Sequence, residues 1–93
     1  MAEARETVQI VNQRGLHARA SAKFVNAVAK LADDRLRVMV HKDGAEAAGG
    51  SILGLMMLGA AKGDSIEIVV SGEGAETALA KLAGLVKDGF GED

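Results

Sequence analysis

The chain has 93 residues, a formal charge of −2, no cysteine, no proline and two aromatic side chains, Phe24 and Phe90. That length supports one domain over residues 1–93 with an aliphatic core, and no second domain to bring a separate substrate. The acidic balance argues against bulk nucleic-acid binding, the missing cysteines remove disulfides and thiolate metal sites, and two distant histidines give a metal ion little to hold it.

No apolar run reaches the roughly 20 residues of a membrane span, and Glu3, Arg5 and Glu6 fall where the apolar part of a signal peptide would lie. A cytoplasmic protein without membrane insertion is expected. Residues 1–5 read as a frayed start. Thr7 to Val11 alternates, with Val8 and Ile10 on one face, which is the period of a half-buried strand. Asn12 to Gly15 breaks that pattern as a turn. From Ala18 to about Leu31 the period becomes helical: Ser21, Phe24, Val25, Val28, Leu31 and Ala32 share one side, and Arg19, Lys23, Asn26 and Lys30 the other.

Asp33-Asp34 ends this helix, and Leu36, Val38 and Val40 alternate with Arg37, Met39 and His41 in a second strand. Asp43-Gly44 is a hairpin signal, because both positions tolerate positive φ, so Ala45 to Ala48 returns as a short third strand. Ser51 is a good N-cap for a helix of Ile52 to Leu58. That helix is apolar almost all round. Taken alone, this favours burial on every side; the competing reading is an exposed, Met-containing docking face. Ser65 to Ser71 forms a fourth strand with Ile66, Ile68 and Val70 inward, and Ala75, Ala78, Leu79, Leu82, Leu85 and Val86 mark a last helix with Gly89 as its cap. The final residues read as loose. The order β-α-β-β-α-β-α predicts an α+β fold: a four-stranded antiparallel sheet, order 1-4-2-3, with three helices on one face.

The segment that reads as chemistry is Gly15-Leu16-His17-Ala18-Arg19. It sets an imidazole where a strand-derived loop becomes a helix, beside unpaired N–H groups and the positive end of the helix dipole. Histidine is not a favoured N-cap, which points to a role beyond capping. Arg19 adds a planar cation suited to phosphate oxygens, and Arg14 and Lys23 make this end basic, with no acidic residue between Glu6 and Asp33. A solvated helix face would show the same charges. His41, at a strand end beside the hairpin, reads as a solvent-facing residue without a role.

Two motifs resemble the HPr-type histidine phosphocarriers of the bacterial phosphotransferase system, and the likeness spans nearly the whole chain. Gly15-Leu16-His17-Ala18-Arg19 is similar to the family's active-site signature, with Ala22, Phe24 and Val25 also fitting; Gly50 to Gly59 is similar to its regulatory-serine segment. The resemblance implies an HPr-like open-faced β-sandwich. It makes His17 the phosphoryl acceptor, Arg19 the phosphate-stabilising residue and Ser51 a site of regulatory phosphorylation, with Leu16, Ile52, Leu53 and Met56 as partner-docking residues. It also implies enzyme I as donor, an enzyme IIA-type acceptor, an HPr kinase/phosphorylase as modifier of Ser51, no cofactor, and a monomer.

Such a protein is a stoichiometric carrier and not an enzyme, in sugar transport or in nitrogen-type regulation. Two positions depart from the pattern. Ala20 stands where the family usually has a proline that stiffens the first turn, and Gly50 stands where many members have a lysine before the serine. For Ser51 capping alone and capping plus phosphorylation both stay open. The rival reading is a small allosteric or ligand-sensing α+β module without phosphotransfer. An RNA-binding module is disfavoured: no two glycines are three residues apart as in a GxxG clamp, and RNP-type aromatics are missing.

Overall fold

The computed structural model describes residues 2–31 and 36–92. Seven main elements follow in the order β1 (Glu3–Gln9), α1 (Ala18–Leu31), β2 (Arg37–Lys42), β3 (Ala45–Ala48), α2 (Ile52–Met57), β4 (Ser65–Ser71) and α3 (Ala75–Lys87), then a single turn over Gly89–Gly91. The strands form one antiparallel sheet ordered β1-β4-β2-β3. The ends of α1 and β2 bear out the periodicity, but Ala32 and Asp33-Asp34 lie outside the described residues.

The strands turn alternate residues inward, and on β4 Val69 is buried on the opposite face as well. Val8 on β1, Val38 and Val40 on β2, Ala47 on β3 and Ile66, Ile68 and Val70 on β4 join Phe24, Leu55, Leu79, Leu82 and Val86 from the helices in one aliphatic core. α3 lies against β1 and β4, while α1 packs on α2 and α3 and α2 on β3. The hairpin between β2 and β3 turns on Asp43 and Gly44, both at positive φ, as their residue types allow. On the outer face, Thr7, Glu67, His41 and Glu46 stand in one cross-strand row, with His41 Nε2 3.6 Å from a Glu46 carboxylate oxygen.

Both chain-end expectations need correction. β1 starts at Glu3, because β4 is seven residues long and offers a partner to every residue from Glu3 to Gln9; beyond it the Gly72 amide donates to the Ala2 carbonyl. The strand stops at Gln9, and Val11 is exposed. At the other end Phe90 is buried to 1% exposure and the Glu92 amide donates to the Gly89 carbonyl, so this segment is anchored. One buried aromatic among small residues supplied the anchor that composition alone did not reveal.

Candidate functional site

Everything about the site begins with how the loop after β1 is held. Gly15 has φ +62, and a Cβ there would come 2.2 Å from the Ala60 carbonyl oxygen, so only glycine lets the loop lie against the segment that follows α2. The Leu16 amide donates to that same Ala60 oxygen at 2.9 Å. Asn12, 1% exposed, donates its side-chain amide to the Gly15 carbonyl at 2.9 Å and closes the loop from within. His17 follows, half-buried, and its carbonyl accepts the first helical bond of α1 from the Ser21 amide at 2.9 Å. The N–H groups of Ala18, Arg19 and Ala20 therefore precede the helical ladder and stand at the positive end of the helix.

The imidazole opens onto a depression of about 530 Å³ lined by Gln13, Arg14, His17, Arg19, Lys23, Gly91 and Glu92. Three cations meet there, as the sequence led us to expect. The carboxylate was not expected. His17 Nε2 lies 3.1 and 3.2 Å from the two oxygens of Glu92. A carboxylate can only accept, so Nε2 carries the proton in this pair. The hydrogen bond from His17 holds the Glu92 carboxyl below the usual carboxylate range; partial burial opposes this, and the Asn12 amide and the charges of His17 and Lys23 reinforce it.

Glu92 reaches His17 because the segment after α3 folds back. Gly89, Phe90 and Gly91 all have positive φ, Phe90 sits in the core, and Lys23 Nζ donates to the Phe90 carbonyl at 2.8 Å. A left-handed non-glycine residue costs about 1–2 kcal/mol. Burying a phenylalanine side chain returns about 1.5–3 kcal/mol, enough to offset it. The glycines flanking Phe90 and its lone aromatic character were the available signals for this fold-back.

The second predicted segment is also organised. Ser51 caps α2, its Oγ accepting from the Gly54 amide at 2.9 Å. Ile52 and Met56 are about two-fifths exposed, Leu53 68% and Met57 77%, while Leu55 is fully buried. The helix is thus not buried on every side. Leu16 corrects the predicted docking set: it is 5% exposed and belongs to the core, where it supports the loop under His17. Met57 takes a place on that surface which the prediction did not give it. No residue of α2 lines the His17 depression; the two regions are joined through α1–α2 packing and the Leu16–Ala60 hydrogen bond.

Ala20 is fully buried, and its amide precedes the first ladder bond, so alanine there loses no helical hydrogen bond relative to proline. Among the described residues no group of three or more His, Cys, Asp or Glu is placed to hold a metal ion, and no helix is long and apolar enough to cross a membrane.

Fold and site together define a class: a small open-faced α+β sandwich that presents one histidine at a helix start, among cations. Known proteins of that class match over almost the full length. The family described as "PTS HPr component phosphorylation site" matches residues 4–88. The phosphocarrier protein HPr of Neisseria meningitidis serogroup A is 40% identical over 88 residues, 95% of this chain and 96% of that one. The phosphocarrier protein NPr of Escherichia coli K12 is 36% identical over 89 residues, 96% of this chain and 97% of that one. Among solved structures, HPr-C-His from Thermoanaerobacter tengcongensis superposes with a TM-score of 0.86 at 34% identity, covering 100% of this chain and 99% of that one. The chain belongs to the PTS HPr family of phosphocarrier proteins, which carry phosphate and are not turnover enzymes; a ligand-sensing module without phosphotransfer is not favoured.

Proposed function

We propose that His17 accepts a phosphoryl group from the phosphohistidine of enzyme I and passes it to a histidine of an enzyme IIA-type acceptor. The single observation that carries this reading is the placement of His17 at the opening of α1, in a depression that Arg14, Arg19 and Lys23 also line. An imidazole suits the task because its unperturbed pKa, about 6.5, leaves much of it nucleophilic near neutral pH. The helix N–H groups and the Arg19 guanidinium hold the oxygens in transfer, so the protein contributes position and charge.

The exposed surface of Ile52, Leu53, Met56 and Met57 docks both partners in turn. Its apolar, Met-rich character suits a surface that must fit more than one protein. The chain works as one domain over residues 1–93, in the cytoplasm, as a monomer. Ser51, already the cap of α2, is a candidate for phosphorylation by an HPr kinase/phosphorylase; a phosphate there gains from the helix terminus but puts about −2 of charge beside the docking surface.

Incubation with labelled phosphoenolpyruvate and purified enzyme I tests the reading. Acid-labile label is expected on the wild type and not on His17→Ala. Equal labelling of both proteins, or none on the wild type with an active enzyme I, overturns it.

A further inference from the structure

Oxidation has few places to act on this chain. It has no cysteine, no tryptophan and no tyrosine, so the thioethers of its four methionines are the side chains a peroxide attacks most readily. Met1 lies outside the described residues. Met39 stands half-buried on β2, on the outer face of the sheet, paired with Val69 of β4 and Ala48 of β3. Met56 and Met57 are adjacent on α2, 39% and 77% exposed, and Met57 is the most exposed large apolar side chain described. Two of the four thioethers thus stand together on the surface formed with Ile52 and Leu53. Neither holds the helix in place: α2 is anchored by the buried Leu55 and by Ser51, which caps the Gly54 amide.

On the docking role given to this surface above, we propose that Met56 and Met57 form a reversible oxidation site through which a peroxide disconnects the carrier from its partners. In the step itself, a lone pair of the thioether sulfur attacks one oxygen of hydrogen peroxide: the S–O bond forms, the O–O bond breaks, and the second oxygen leaves as water with both protons. Sulfur is oxidised by two electrons and the peroxide is reduced by two. The sulfoxide formed is polar and accepts hydrogen bonds. On the free chain water solvates it, so the fold tolerates the change. In a docked complex it is pressed against an apolar partner surface without a donor, and that burial is costly. A thiol-dependent sulfoxide reductase reverses the step: two thiols become a disulfide, the oxygen leaves as water and the thioether returns. No residue of α2 lines the His17 depression, so the oxidised chain keeps its imidazole chemistry while it loses donor and acceptor alike.

The test treats the purified chain with hydrogen peroxide, reads each methionine by peptide mass spectrometry and follows loading by enzyme I at varied carrier concentration. Met57 gains an oxygen first and Met56 next, with the half-buried Met39 behind them. The melting point holds, and the KM for the carrier rises about tenfold as an unpaired polar group enters the interface, with kcat unchanged. Phosphoramidate, a small donor that needs no docking surface, labels His17 equally in the oxidised and the reduced chain. Treatment with a thiol-dependent sulfoxide reductase restores the original KM. In Met56→Leu/Met57→Leu, whatever its own KM, peroxide raises it no further, whereas Met39→Leu gives no protection. Oxidation of Met39 ahead of the α2 pair, an unchanged KM with both α2 sulfurs oxidised, an equal loss in the phosphoramidate reaction, or an equal rise of KM in Met56→Leu/Met57→Leu each overturns the proposal. Absence of label on the reduced wild type overturns the carrier reading itself, whereas reduced and oxidised chains that load equally well overturn only the role of the two methionines.

Discussion

Gly15→Ala separates backbone strain from steric contact in the loop that presents His17. Gly15 has φ +62, which alanine adopts at a cost of about 1–2 kcal/mol. Its Cβ would also stand 2.2 Å from the Ala60 oxygen and 2.8 Å from the Ala61 Cα, both backbone atoms that cannot rotate away. The two segments must part, and the Leu16–Ala60 hydrogen bond goes with them, for about another 1–3 kcal/mol if the buried donor is left unpaired. The sum, about 2–5 kcal/mol, lowers the melting point by roughly 8–40 °C in a domain of this size. Two other glycines calibrate the result. Gly59 has φ +65 with open space around it, so Gly59→Ala shows the strain alone, about 1–2 kcal/mol. Gly50 has neither strain nor a neighbour within 4 Å, so Gly50→Ala is neutral or stabilising by up to about 1 kcal/mol. Thermal and urea unfolding of the three variants, beside phosphorylation by enzyme I, give the comparison. A Gly15→Ala protein no less stable than Gly59→Ala refutes the contact argument.

Removing the cap of α2 with Ser51→Ala costs about 1 kcal/mol by urea unfolding, whereas Ser51→Asp keeps an oxygen for the Gly54 amide and, on the proposed docking role, slows transfer by placing charge beside the exposed Ile52, Leu53, Met56 and Met57. Leu53→Lys, at a site 68% exposed, leaves the melting point unchanged but weakens association with enzyme I in a titration. The pH dependence of stability has a definite sign at Glu92. Its carboxyl is held below the ordinary value in the folded protein, so its contribution is present above the usual carboxylate range and is lost as pH falls through the lowered folded value. Glu92→Gln flattens that acid limb of the stability curve, and an unchanged limb would show that the His17 pair adds nothing to folding.

Much of this was legible because the signals were local. The switch from period two to period 3.6 between Ile10 and Ala18, the Asp43-Gly44 hairpin and the Ser51 cap each need only a few neighbouring residues, and all three stand in the structure. His17, Arg14, Arg19 and Lys23 meet at one depression because they lie on one loop and the first turns of one helix. Glu92 is 75 residues from His17, and no periodicity links them. Their meeting depends on Phe90 entering the core and on three successive left-handed residues after α3, a tertiary outcome that composition renders as a loose end. The burial of Leu16 was hidden for a similar reason: its contacts run to Ala60 and the core, while the motif it belongs to is read along the chain.

The central claim is that this protein is a reversible carrier acting through His17, and a two-stage transfer tests it most directly. The chain is first labelled from phosphoenolpyruvate through enzyme I, separated from the donor, and then mixed with an enzyme IIA-type acceptor. The account predicts that the acid-labile label leaves His17 and appears, mole for mole, on the acceptor, and that label returns to enzyme I and pyruvate when those are supplied instead. Label that stays on the chain in the presence of a competent acceptor, or that transfers equally well from His17→Ala, would contradict it.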